Sequence, residues 1–410
     1  MTSLSQEITG DTKKEPPAVI APEITQKGDS LANTIIGVMG NVLEWYDFAL
    51  FGFFSDVIAD VFFPPAIVGS EHDNLTKSFV IFGSAFLMRP IGGLIIGYVG
   101  DKHGRKKALT QSLFLMAIPT TLMGCLPTYN QVGVFSTILL CLCRLVQGVS
   151  VGGQLPASLV YTVEKRPKSQ WGYYGSLPMV AANVGTLLGN LCGALMRQVL
   201  TDQQLRAWGW RLPFFSGILI AFVAFYLRKH GADGAYVDEG TGEVTEEAIA
   251  AVKNSVKPHN PIKTAFKKGN RLALLSTSIV PMLWGAGFYV SFVWIAIFME
   301  ELMDPPMPGA FWINSLGLLF GMTWILPMAG AISDRVGRTL MMTISGLLLT
   351  GLGPVFLILI SRGNPVSAFF SQLMLGLLLS FYGGPLCAWL VENFSPEVRM
   401  TSASIGYDMR

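Results

Sequence analysis

Long apolar stretches alternate with short polar breaks along most of this chain. Ten such stretches stand out, at roughly 33–58, 77–100, 108–127, 135–163, 172–197, 210–228, 271–300, 311–333, 340–361 and 366–391. A helix crosses the hydrocarbon layer in about 20 residues. Each stretch is therefore predicted to be a membrane-spanning helix, and the longer ones to tilt or project from the bilayer. The exception to the short breaks is 229–270, which holds Gly, Glu and Lys with little apolar content. It reads as a cytoplasmic linker between a first bundle, 31–228, and a second, 271–410. Residues 1–30 are polar, contain proline and lack an apolar core, so a disordered tail is expected rather than a signal peptide. After span 10 the chain continues as a loop and the first turns of an eleventh span, then stops at Arg410. The second bundle thus holds four spans plus the start of a fifth, and a fragment of a longer chain is the expectation.

One pattern occurs twice. Gly97-Tyr-Val-Gly-Asp101-Lys-His-Gly104-Arg105 closes span 2, and Gly330-Ala-Ile-Ser-Asp334-Arg-Val-Gly337-Arg338 closes span 8. Each copy sits where an apolar segment meets a short basic loop. Glycine lets membrane helices approach and turn sharply, and an aspartate beside arginines can brace the loop at the membrane edge. Two copies at matching depth predict a duplicated helical bundle.

Composition supports a membrane protein. Charged residues make up 14% of the chain and hydrophobic ones 51%, with mean hydropathy +0.48; soluble domains hold about 25% charged residues. The net charge of +2 gives no reason to expect nucleic acid as a partner. The distribution of charge is more informative. Most of the 29 lysines and arginines fall on the side of the N-terminus, which predicts a cytoplasmic N-terminus in what is expected to be the plasma membrane. The five cysteines lie in or beside apolar segments without paired spacing and read as packing residues. The four histidines fall outside the spans, which argues against a buried metal site or a histidine relay. With no nucleophile or metal cluster at the interface, an enzyme is not expected, and neither is a cofactor other than a coupling proton.

The local text resembles the major facilitator superfamily, and within it the metabolite:proton symporters, the group that includes the proline/betaine and organic-acid symporters. The resemblance is carried by Gly40-Asn-Val-Leu-Glu-Trp-Tyr-Asp-Phe-Ala-Leu-Phe-Gly52 in span 1 and Phe86-Leu-Met-Arg89-Pro90-Ile-Gly-Gly in span 2. Arg144-Leu-Val-Gln-Gly148-Val-Ser-Val-Gly152-Gly153 in span 4 and Gly383-Gly-Pro385 in span 10 add to it, as do Glu392, Pro396 and Arg399. It implies an all-α membrane protein of two pseudo-symmetric six-helix bundles, here with the second incomplete. It also implies gating loops built from the repeated motif together with Glu164, Glu392 and Arg399. Two positions depart from the family: Gln154 stands where many relatives have an acid, and Asp408 where asparagine is common.

Charges inside the membrane are costly and usually paired or functional. Span 1 carries Glu44 and Asp47, span 2 Arg89 and span 4 Arg144. Counting about 1.5 Å per residue puts Glu44 level with Arg89, about 17 Å from the cytoplasmic edge, and Asp47 near the depth of Arg144. Two acid–base pairs are therefore expected. A carboxylate beside a guanidinium keeps its charge, whereas separation in a dry setting favours protonation, so Asp47 or Glu44 can carry a proton. A static pair bracing spans 1, 2 and 4 is the plainer alternative. Gly185, Gly189 and Gly193 form a small-residue stripe for close helix contact. Candidate substrate contacts are Tyr46, Gln154 and Asn183, and, where the resemblance puts a central cavity, Tyr289 and Tyr382. The expectation is a monomeric proton-coupled symporter of a small organic acid or zwitterion working by alternating access. A sugar-type or passive facilitator and a non-transporting membrane receptor remain alternatives.

Overall fold

Both copies of the repeated loop turn on a glycine held in the left-handed half of backbone space. Gly104 has φ +100° and Gly337 φ +102°, a conformation that L side chains rarely adopt, and each separates two helices that would otherwise run on. The computed structural model describes residues 31–64, 80–81, 83–164, 166–230, 260–396 and 398–408. The expected tail, 1–30, and most of the expected linker lie outside these residues.

The ordered elements among the described residues are helical throughout. Span 1 is Leu31–Phe53, followed by a short helix, Ser55–Phe62; span 2 closes with Arg89–His103. Spans 3, 4 and 5 are Arg105–Cys125, Val134–Val163 and Trp171–Val199, and span 6 ends as Ser216–His230. Spans 7 and 8 open with Arg271–Phe288 and Ala310–Leu316. Both then pass through wider π-helical turns, at Tyr289–Trp294, Phe298–Leu302 and Gly317–Thr323. Spans 9 and 10 are Arg338–Ser361 and Pro365–Glu392, and a terminal helix, Arg399–Asp408, follows. Eight of these helices, spans 3 to 10, are long and apolar enough to cross a membrane. Span 1 is less apolar because it carries Asn41, Glu44 and Asp47.

Glycines set the helix spacing. A Cβ at Gly92, Gly148 or Gly152 would strike the carbonyls of Val149, Ala85 and Arg89, so spans 2 and 4 touch backbone to backbone. The predicted stripe in span 5 packs on span 1: Gly185 faces the Val42 carbonyl, Gly189 faces Ala49 and Gly193 the Phe53 ring. The two bundles meet where span 5 packs on spans 8 and 10, and where span 2 packs on the terminal helix. The end of the expected linker differs from a plain connector. Asn260 accepts hydrogen bonds from the amides of Ile262 and Lys263 and starts a short helix, Pro261–Ala265, which packs on span 2 and the terminal helix.

Candidate functional site

The loop face is closed by two latches related by the internal duplication. Asp101, from the first bundle, accepts the Met400 and Thr401 amides at 3.2 and 2.7 Å, in the first turn of the terminal helix. Asp334, from the second, accepts the Gly172 and Tyr173 amides at 2.8 and 3.1 Å, in the first turn of span 5. Each aspartate thus takes up amides that a helix start leaves unpaired, at its positive end. The arginine four residues on holds each carboxylate: Arg105 to Asp101 at 2.6 Å and Arg338 to Asp334 at 2.9 Å. Each arginine also reaches a backbone carbonyl of the other bundle, Arg105 that of Pro396 and Arg338 that of Lys168. Glu164 clamps Arg105 at 3.0 Å and, across the interface, Arg399 at 2.8 Å, while Glu392 pairs with Arg338 at 2.7 Å. Gly97 and Gly330 let the bundles close: an added Cβ would meet the Thr401 backbone in one case and the Gly172 carbonyl in the other. Burial raises the Asp101 carboxyl above its ordinary value, against the pull of Arg105 and of the Thr401 and Met400 amides.

Deeper in the first bundle, Asp47 and Arg144 pair at 2.8 Å, both with fully buried side chains. Gln147 completes the arrangement, accepting from Arg144 at 2.9 Å and donating to Asp47 at 3.2 Å and to Thr120 at 2.7 Å. The Arg144 guanidinium lies 3.7 Å from the centre of the Phe51 ring. Even so, Asp47 Oδ1 and Arg144 Nε and Nη2 have no hydrogen-bond partner among the described residues.

The second expected pair is not the one formed. Arg89 turns to Asp408 of the terminal helix, with Nε and Nη2 both 3.3 Å from Oδ1. This ion pair joins the two bundles, whereas an Arg89–Glu44 pair would have stayed within the first. The physical reason is the route of the terminal helix, which lies along span 2 and brings Asp408 beside Gly93. Glu44 is buried at 1% exposure, within electrostatic reach of Arg89, Asp408 and Asp47, and its Oε2 has no hydrogen-bond partner among the described residues.

The remaining candidates are scattered. Tyr46 donates to Cys192 Sγ at 3.3 Å, joining spans 1 and 5. Gln154 is buried behind Gly40, with Ser150 donating to its Oε1 at 3.5 Å and its Nε2 without a partner among the described residues. Asn183 is buried, and its Nδ2 is likewise without a partner among the described residues. Tyr382 donates its hydroxyl to the Val280 carbonyl at 2.8 Å, so that group is engaged within the second bundle. Tyr289 is partly exposed, with its ring 6.4 Å from that of Phe86 across the bundle interface. Trp45 and Phe288 make a similar contact at 5.8 Å. Towards the face opposite the latches, a surface groove of about 390 Å³ lies between the ends of spans 1 and 5 and those of spans 7 and 8, lined in part by Phe53, Leu191, Arg197, Glu300 and Trp312, the last 60% exposed.

Residues 48–407 match the Major Facilitator Superfamily. The chain belongs to that superfamily. It is 31% identical over 369 residues to the alpha-ketoglutarate permease of Escherichia coli (strain K12), covering 90% of this chain and 81% of the relative. It is 30% identical over 373 residues to the citrate-proton symporter of Klebsiella pneumoniae, covering 90% and 80%. The proline/betaine transporter of Salmonella typhimurium matches at 26% identity over 371 residues, covering 90% and 73%. Among solved structures, the proton:xylose symporter XylE bound to 6-bromo-6-deoxy-D-glucose superposes with a TM-score of 0.69 at 18% identity, covering 92% of this chain and 85% of that one. The protein is therefore a multi-pass membrane transporter of the major facilitator fold, related to metabolite:proton symporters, and not an enzyme.

Several partnerships in this transporter escaped sequence reasoning. Gln147 and Thr120 were legible only as amide and hydroxyl positions in spans 4 and 3; no spacing rule ties them to Asp47. Asp408 stands out in the sequence as a departure from the family, but nothing there gives its partner, Arg89 of the other bundle. Asn314 and Gln372 form the polar centre of the second bundle: Gln372 donates to Asn314 at 2.5 Å and to the Ser291 carbonyl at 2.8 Å, and Asn314 to the Phe292 carbonyl at 3.2 Å. The two carbonyls belong to a π-helical turn of span 7, where regular backbone pairing is interrupted.

Proposed function

We propose that the chain is a proton-coupled symporter of a small carboxylate-bearing metabolite, with Asp47 as its proton carrier. The observation that supports this most is the wholly buried Asp47–Arg144 pair, with polar atoms left over on both partners. While the pair is closed the guanidinium holds the Asp47 carboxylate; helix movement that separates the two frees it for the coupling proton. Proton and substrate then cross together because an unprotonated, separated Asp47 resists closure. The relatives named for alpha-ketoglutarate, citrate and proline/betaine support a small organic acid or zwitterion as cargo.

The latches supply the alternating access. The sealed loop face fits one end of a rocking cycle. The excess of lysine and arginine at the latch face supports placing that face, and the N-terminus, in the cytoplasm. The test uses the full chain in proteoliposomes. Asp47→Asn is expected to abolish uphill uptake driven by a pH gradient while counterflow exchange of the same substrate persists. Full uphill uptake by that variant would remove Asp47 from the mechanism, and the pair would then be a brace.

A further inference from the structure

We propose that the turn from the short helix Pro261–Ala265 into span 7 is a docking surface for anionic lipid headgroups, and that their binding holds the loop face closed. Between Asn260 and Leu272 the chain carries Lys263, Lys267, Lys268 and Arg271 and no acid. Lys263, Lys267 and Arg271 are exposed, and none of the three makes an ion pair among the described residues. The turn has a fixed shape: Asn270 donates to the Thr264 carbonyl at 3.0 Å, and Arg271 Nε to the Phe266 carbonyl at 3.4 Å. Phe266, 45% exposed, and Leu272, 77% exposed, interrupt the cations along the chain. Arg271 opens span 7, so this mixture of cations and bare apolar side chains lies at the bilayer edge on the loop side. A soluble acidic partner would satisfy the cations and leave the apolar side chains in water. The interface of an anionic leaflet takes up both.

The short helix also bridges the bundles. Pro261 and Ala265 are buried, and the helix packs on span 2 of the first bundle and on the terminal helix of the second. Those are the two helices that the Asp101 latch joins through the Met400 and Thr401 amides. When the loop face opens, span 2 and the terminal helix part, and the short helix keeps its seat on at most one of them. Lys263, Lys267 and Arg271 come at intervals of four residues, and unpaired like charges at that spacing repel. A phosphate-bearing headgroup among them removes the repulsion and steadies the turn. It therefore stabilises the state in which the short helix touches both bundles, which is the differential contact a conformational shift requires. This lipid effect does not depend on Asp47 carrying the coupling proton.

The test uses the full chain with Ser404→Cys in a background without native cysteines; Ser404 is buried beneath the sealed face. The protein is placed in vesicles of phosphatidylcholine alone, or of equal parts phosphatidylcholine and phosphatidylglycerol, and the rate of thiol modification is read. Phosphatidylglycerol is expected to slow modification about fivefold or more, and salt at about 1 M to remove most of that difference. Lys263→Gln/Lys267→Gln/Arg271→Gln is expected to react at one rate in both vesicles. Lys263→Arg/Lys267→Arg, which keeps the charge, is expected to retain the lipid dependence. Equal rates in both vesicles with the native cations, a lipid dependence that survives the triple variant, or its loss in the arginine variant would each overturn the proposal. If the triple variant instead speeds modification in both vesicles and the native cations show no lipid dependence, they serve acids of the chain between Asp233 and Glu247, and the lipid reading fails. Should the triple variant not insert, the lipid and salt dependence of the native cations and the arginine variant decide. Modification is read without substrate or pH gradient, so failure of the symport reading leaves this result standing.

Discussion

The two halves of this transporter are alike at the loop face and unlike at the centre. At the loop face each half contributes an aspartate to the other half's helix start, an arginine four residues on, and a glycine at φ near +100°. At the centre the first half carries Asp47, Arg144, Glu44 and Arg89, while the second offers one acid, Asp408, with the neutral amides Asn314 and Gln372 and Tyr382. The difference shows which features tolerate duplication. A gate that closes two equal bundles works best with the same chemistry from both sides. Ionisable groups in a membrane interior are expensive, so keeping them mostly in one half limits that cost.

The sharpest way to break this comparison is to remove one charge from the first bundle. Arg144→Met leaves Asp47 buried beside Gln147 alone, and losing one partner of a buried ion pair costs about 3–5 kcal/mol. A large fall in thermal unfolding temperature is expected in detergent, with most of it recovered in the Asp47→Asn/Arg144→Met double variant. If the double variant is no better than the single one, the pair does not set the stability of this bundle.

The latches come next. Asp101→Ala or Asp334→Ala removes two amide hydrogen bonds to a charged acceptor, each worth about 1.5–3 kcal/mol. Either variant is expected to open the loop face, read as at least a tenfold faster thiol modification of a cysteine introduced by Ser404→Cys in a background without native cysteines. Equal effects support the symmetric gate; an effect from one aspartate alone would mean that only one latch holds.

Gln372→Leu tests the half with fewer charges. It deletes the bonds to Asn314 and the Ser291 carbonyl, for a loss of about 1–3 kcal/mol, and proton coupling should be unaffected. Changed proton stoichiometry in uptake would place coupling in both halves. The smallest effect is expected from Arg197→Gln. Its pair with Asp56 is partly exposed, and such pairs are worth below about 1 kcal/mol. A larger drop in thermal unfolding temperature would mean that the rim of the groove is structural.

Much of this was legible in the chain itself. Apolar length marks out spans 3 to 10 among the described residues, because backbone polar groups in a bilayer leave a helix as the way to satisfy them. The repeated Gly/Asp/Gly/Arg loop exposes the duplication, since only glycine fits the turn at Gly104 and Gly337. The Asp47–Arg144 pair follows from depth counting along straight helices. Depth alone, however, is satisfied by several partners. It placed Glu44 level with Arg89 but could not show that the terminal helix runs along span 2 and presents Asp408. Nor could it show which amides the loop aspartates accept, because those belong to helix starts in the other bundle.

The sequence by itself therefore determined the membrane class, the duplicated helical plan, and the burial of Glu44, Asp47 and Arg144. Those properties depend on local composition and on the fixed rise of a helix. Only the tertiary structure decided the partners: Asp408 for Arg89, Gln147 for Asp47, and the helix starts at Met400 and Gly172 for the latch aspartates. Pairing between helices depends on their rotation and lateral order, and a periodic apolar sequence specifies neither.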